Sequence, residues 1–342
     1  MKQKTPKKYS RRDVLALGMG AGVALGGMSF GAWRLATFWE RSTEVFIAKA
    51  NDYSGELSKT IEAGLRELGV GEAQIRGKSL LLKPNLVETW PNVHHVCTNP
   101  AVVWAAAETF WRLGASRVMV GEGPGHCTDT VRTLDQSGMS EIIDVRKLPF
   151  VDLNRYELFT LPNQGGFSDL ASLIFPATLR EVDIVVSMAK MKTHHWAGVT
   201  LSMKNLFGLM PGSVYGWPKN LLHYAGIANA ILDINSTFKP QLAIVDGIVG
   251  MEGDGPIMGT PKKAGVLVMG SNLPAVDATC ARIMGLDPLK VEYLALASGR
   301  LGAVRERNIA QRGETIKSVM TPFELKDYIP AHQNLRLKPR PA

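Results

Sequence analysis

The chain has 342 residues, 45% of them hydrophobic and 20% charged, a composition that excludes a disordered or low-complexity protein. Its formal charge of +8 is unevenly placed: residues 1–33 hold six Lys/Arg and one Asp, whereas the remaining 309 hold 33 Lys/Arg and 30 Asp/Glu. A body so nearly balanced argues against nucleic acid as a partner.

In chain order, the first feature is a basic stretch ending in Ser10-Arg11-Arg12-Asp13-Val14-Leu15. Val14 to Trp33 then runs free of charge for 20 residues, long enough to span a bilayer, although six of them are Gly. Paired arginines before a mildly apolar, glycine-rich run resemble a twin-arginine export signal; a plain signal-anchor helix is the alternative. The expectation is passage through the twin-arginine translocase to a periplasmic or other extracytoplasmic place. Membrane contact would run through residues 14–33 if the segment is retained. Because that pathway carries folded proteins, often with their cofactors, the resemblance also implies a cofactor. Residues 1–33 are set outside the fold.

The body alternates strands and helices. Residues 44–49 read as a strand and 55–68 as a helix ending at Gly69. Residues 79–82 (SLLL) read as a buried strand, and Pro100 opens a helix that stops at Gly114. A strand at 116–120 runs into the glycine-rich GEGPG turn, followed by a helix at 130–138 and a strand at 150–154. The Gly165-Gly166 pair places a hairpin or insertion within 155–175. Strands follow at 182–190, 241–250 and 264–270, then helices near 273–284 and 288–299. This order predicts an α/β fold with a largely parallel sheet and helices on both faces, since the strands are apolar throughout. Residues 44–300 form one domain in this reading, and 301–342 a C-terminal extension.

The unusual polar residues come just after the strands. Lys83 and Asn85 follow the strand at 79–82, and Glu122 follows that at 116–120. Lys192, His194 and, farther on, Lys204 and Asn205 follow the one at 182–190. Asp246, Glu252 and Asp254 follow the start of that at 241–250. Ligands in open parallel sheets bind outside the carboxyl ends of the strands, so these side chains are expected to share one cleft. Thr200 is expected to cap a helix carrying Lys204, whose N-terminus would favour an anion. The expected roles are substrate binding for Lys83, Asn85, Glu122 and Asn205, acid/base or binding work for Lys192, His194 and Lys204, and a divalent ion on Asp246, Glu252 and Asp254. GEGPG lacks the lysine and spacing of a phosphate-binding P-loop. His94, His95 and His223 read as side chains rather than ligands, and Met188, Met191, Met203 and Met210 as core filling. Cys97, Cys127 and Cys280 are far apart without a Cys-X-X-Cys, so neither an iron–sulfur cluster nor a disulfide framework is expected, one disulfide at most.

Five segments, LLLKPNLV (80–87), GEGPG (121–125), KMKTHHWAGVTLSMKNLFG (190–208), DGIVGMEGDGP (246–256) and AVDATCARIMGLDP (275–288), together resemble the family known as domain of unknown function 362. Some members carry a ferredoxin-like segment with cysteine clusters, which this chain lacks. The functional expectation is an exported enzyme acting on a small anionic substrate in a metal- or cofactor-containing cleft. A non-catalytic binding or maturation factor for an exported cofactor or protein is the alternative, and a structural membrane-anchored protein is the third.

Overall fold

A computed structural model describes residues 43–125 and 129–338, which fall within one structural unit. The expected export segment, with its Arg11-Arg12 pair, lies outside the described residues.

The strands that make the main sheet are β1 (Thr43–Lys49), β2 (Ser79–Pro84), β3 (Arg117–Glu122), β4 (Phe150–Asp152), β7 (Ile184–His194), β9 (Leu242–Glu252), β11 (Val266–Gly270) and β12 (Ile309–Gly313), in the spatial order β12-β1-β11-β9-β7-β2-β3-β4. Between β4 and β7 in sequence, β5 (Leu158–Pro162) and β6 (Ser172–Pro176) form the expected hairpin as a separate antiparallel pair. Short returns β8 (Gly198–Thr200) and β10 (Thr260–Lys262) fold back on β7 and β9. Every neighbouring pair in the main path is parallel except the two made by β11, which runs antiparallel to β1 and β9. The sheet is therefore largely parallel, as the alternation of elements implied.

Side chains alternate across a strand, so each buried strand feeds two cores. Leu80 and Leu82 pack on one face with helices α1 (Leu57–Glu67) and α2 (Pro100–Arg112). Leu81 between them packs on the other face with α5 (Ile227–Thr237) and α6 (Leu273–Ile283). Local chemistry sets the helix starts. Asn99 accepts a hydrogen bond from the Ala101 amide ahead of Pro100, and Asn272 does the same for Ala275. In α3 (Thr130–Ser137) the Asp129 carboxylate accepts from the Arg132 amide, and Gly138 ends the helix in the left-handed region. The four methionines read as core filling are fully buried.

Two expectations change. The segment after residue 300 is not an appendage: β12 pairs in parallel with β1 and forms one edge of the main sheet. The expected helix at 288–299 is confined to Glu292–Ala297. Among the described residues no helix is long and apolar enough to cross a membrane.

Candidate functional site

Strands β7, β2 and β3 lie side by side and parallel, so their carboxyl ends open on one edge of the sheet. Strand β7 continues beyond that edge, turns at His195–Ala197 and returns as β8, setting Thr200 opposite Lys192. The chain then enters the short helix α4 (Ser202–Asn205). These pieces enclose a cavity of about 590 Å³. Of the residues expected to share one cleft, Lys83, Asn85, Glu122, Lys192, His194, Lys204, Asn205 and Asp254 line it, whereas Asp246 and Glu252 do not. Lys219, His223, His195 and Trp196 line it as well. Lys219 and His223 were missed as site residues because they come from a loop and short helix after 208, away from any strand end.

The lining residues differ in what their polar atoms have left to give. An ammonium has three donors. On Lys83 all three are used, by Glu122 Oε2 (2.6 Å), the Pro84 carbonyl (2.7 Å) and Asn205 Oδ1 (3.0 Å). Glu122 in turn accepts from the Leu86 and Gly123 amides, and Asn205 Nδ2 donates to the Lys83 carbonyl and Ser187. Lys83, Glu122 and Asn205 therefore form a buried, internally satisfied network and shape the cavity floor rather than grip a ligand. Gly208 packs against this pair: a Cβ there would lie 1.9 Å from Glu122 Oε1 and 2.4 Å from Lys83 Nζ. Lys219 is likewise saturated, by the carbonyls of Gly123 and Met210 and by Asn154 Oδ1.

Lys192 and Lys204 are different. Lys192 is fully buried yet, among the described residues, donates only to the carbonyls of Val96 (2.9 Å) and Pro256 (3.0 Å). Lys204 has no hydrogen-bond acceptor among the described residues and stands 4.2 Å over the Phe207 ring. Neither meets a carboxylate among the described residues. Burial, complete for Lys192 and partial for Lys204, pushes both lysines down to about 7, with neighbouring lysines adding to the effect. Burial also brings Lys219 down to about 7.

Two of the three imidazoles in the cavity, His194 and His223, are fixed in complementary forms. His194 Nδ1 accepts from the backbone amides of Trp196 (3.0 Å) and Ala197 (3.2 Å), which leaves the proton on Nε2. His223 Nδ1 faces the Lys219 carbonyl at 3.1 Å and must donate to it, which leaves the lone pair on Nε2. Burial depresses both, His194 well below the usual range and His223 to about 4, so both are neutral near pH 7. Three residues that line the same cavity each keep a buried polar atom, Asn85 Oδ1, Thr89 Oγ1 and Thr200 Oγ1, with no hydrogen-bond partner among the described residues. Native interiors rarely tolerate such atoms unless something else occupies the space before them.

Two sequence expectations are corrected here. Thr200 does not cap α4: it lies in β8, and the Ser202 and Met203 amides donate instead to Asp277 at 2.7 and 3.0 Å. The start of that helix is thus closed to an outside anion. Nor do Asp246, Glu252 and Asp254 form a metal centre. Asp246 is fully buried against Lys190 (2.8 Å), which also donates to Tyr53, and accepts from the Asn99 amide. Glu252 pairs with Lys262 (3.0 Å) and the Glu324 amide (2.8 Å), and only Asp254 reaches the cavity. Among the described residues no three His, Cys, Asp or Glu side chains come together as ligands. Cys97 and Cys280 are buried free thiols, and Cys127 lies outside the described residues.

Fold and site together define an α/β protein with a basic, histidine-bearing cavity at the carboxyl edge of a mostly parallel sheet. Residues 80–282 match the family described as Domain of unknown function (DUF362), and the chain belongs to it. A relative, Thylakoid-associated protein sll1697 from Synechocystis sp., is 27% identical over 265 residues, which are 75% of this chain and 79% of that protein. Among solved structures, a Thermotoga maritima protein from a structural genomics consortium aligns with a TM-score of 0.40 at 15% identity, over 68% of this chain and 59% of that one. The lactate racemase apoprotein from Thermoanaerobacterium thermosaccharolyticum aligns with a TM-score of 0.39 at 12% identity, over 72% of this chain and 58% of that one. This chain thus spans less than two thirds of either solved structure.

Proposed function

We propose that this protein is an enzyme that binds a small anionic substrate in the cavity and moves a proton on it. The observation that carries this reading is that Lys192 and Lys204, both without a carboxylate partner among the described residues, share one cavity with three residues whose buried polar atoms lack a partner there. An anion would supply the missing partner to both lysines. His223 Nε2 is the base, since its lone pair is free, and His194 Nε2–H is a donor to a developing negative charge. Lys83, Glu122 and Asn205 hold the floor. No step is assigned to a metal, because the carboxylates expected to hold one do not converge.

The test uses calorimetry with inorganic phosphate and malonate, then incubation of a panel of small carboxylates and phosphate esters in D2O with mass detection of exchanged deuterium. Saturable anion binding, lost in Lys204→Met, and exchange lost in His223→Gln with binding retained are the expected results. Binding without any exchange would favour the binding or maturation factor instead, and no binding at all would sink the reading.

We also propose that the protein is exported by the twin-arginine route and remains close to a membrane. The support is the Arg11-Arg12 pair with its charge-free run; the name of the Synechocystis relative describes that protein as thylakoid-associated. Replacing both arginines by lysine keeps the charge and should stop translocation, read by cell fractionation. Unchanged export in that variant would refute this.

A further inference from the structure

The cavity is larger than a simple anion needs. Its volume of about 590 Å³ lies within the roughly 300–1,000 Å³ typical of sites for drug-sized ligands. Lys192, Lys204, Asn85 and Thr200 reach it from the strand ends and α4, whereas Arg132, Gln136 and Asp254 line it from other elements. Leading outward from Lys204 is a row of rings. Lys204 stands over Phe207 at 4.2 Å, Phe207 lies 5.8 Å from His223, His223 lies 5.0 Å from Trp196, and Trp196 lies 4.7 Å from His195. Trp196 in that row has 56% of its surface exposed, and Trp90, also lining the cavity, is 51% exposed. Indoles of this size are seldom left so bare, and both belong to the wall of one cavity.

From this we infer that the ligand is an aryl anion: a planar aromatic body stacked against Trp196, carrying a carboxylate or phosphate that reaches Lys204 and Lys192. The inference rests on the anion-binding reading above. Planar rings match the row because aromatic faces pair in stacked or edge-on geometries at the centroid spacings seen here. An alkyl amphiphile would bury the same apolar wall without using that geometry. The aromatic body would cover the Trp196 indole, while the head group would satisfy the lysines and the orphaned Asn85 and Thr200 oxygens.

Calorimetry on the full chain at pH 6.5 tests this with inorganic phosphate, malonate, 1-naphthyl phosphate, 2-naphthoate and octyl phosphate. At least one naphthyl anion should bind about tenfold tighter than its simple counterpart and than octyl phosphate, as a stacking contribution requires. Which of the two naphthyl anions binds tighter tells phosphate from carboxylate. Trp196→Ala should remove most of that advantage while leaving inorganic phosphate or malonate affinity unchanged, and Lys204→Met should weaken every probe. If the simple anions bind but the naphthyl anions gain nothing over them, or octyl phosphate binds as tightly, the aryl inference fails and the anion site stands. If no probe binds, the anion reading itself fails.

Discussion

Four lysines line one cavity and do three kinds of work, decided by the number of acceptors each one meets. Lys83 is one half of a buried ion pair with every donor used. Removing it strands Glu122, so Lys83→Met should destabilise the fold by about 3–5 kcal/mol, measured by urea unfolding. Lys219 holds three oxygens of the surrounding backbone and side chains together. Lys204 has no such partner, so Lys204→Met should leave stability unchanged or raise it, yet lower anion affinity by about 1.5–3 kcal/mol. A Lys204→Met variant that unfolds like Lys83→Met would show that Lys204 is structural. The depressed lysines also fix a pH dependence. In the free protein Lys192 and Lys204 lose their protons near 7, and only the charged form attracts an anion. Affinity should therefore be flat below pH 7 and fall above it, by up to about tenfold per pH unit for each proton taken up on binding.

At the scale of elements, the site depends on how α4 is held. That helix is only four residues long and cannot support itself, but it carries Lys204 and Asn205. Asp277, on α6, secures it through the Ser202 and Met203 amides and the Ser202 hydroxyl, and Tyr293 donates to the same carboxylate at 3.3 Å. Burial pushes Asp277 up to about 7 against those hydrogen bonds. Asp277→Asn, which can no longer accept on both sides, should cost about 1–3 kcal/mol and weaken anion binding although Asp277 does not line the cavity. Full binding in a destabilised Asp277→Asn would mean that α4 keeps its place without this anchor. Gly208, just beyond α4, answers to sterics: Gly208→Ala would drive a methyl group into the Lys83–Glu122 pair and should cost about 1–3 kcal/mol by thermal unfolding.

For the whole molecule, the depressed lysines become a stability profile. Lys192 and Lys204 have folded values of about 7 and ordinary unfolded values near 10.4, so between those limits the unfolded chain holds protons that the folded chain lacks. Stability of the ligand-free protein should therefore rise with pH from about 7 to 10, and the penalty should be present in full below 7. A melting series should show that rise, and Lys192→Met with Lys204→Met should reduce it, leaving the share that Lys219 contributes. The sheet edge makes a separate prediction. Deleting the chain after residue 300 removes β12 and exposes β1 as an unpaired edge, so the truncated protein should aggregate where the full chain does not.

The sequence by itself determined the alternation of strands and helices, because apolar runs, Pro100, Asn99 and the glycines at helix ends are local signals. It also determined that most of the candidate residues would meet, since parallel strands bring their carboxyl ends to one edge whatever the details. What only the tertiary structure decided was which of them remain free. Asp246 was lost to Lys190 because β9 and β7 set those two residues in register across 56 positions, a pairing no local pattern records. Thr200 was replaced as a cap by Asp277, 75 residues from Ser202, and Lys83 was consumed by Glu122 and Asn205. Lys219 and His223 entered the cavity from a loop without a strand to announce them. A spare donor or an unpaired charge is set by every neighbour at once, so it belongs to the folded arrangement and not to any stretch of sequence.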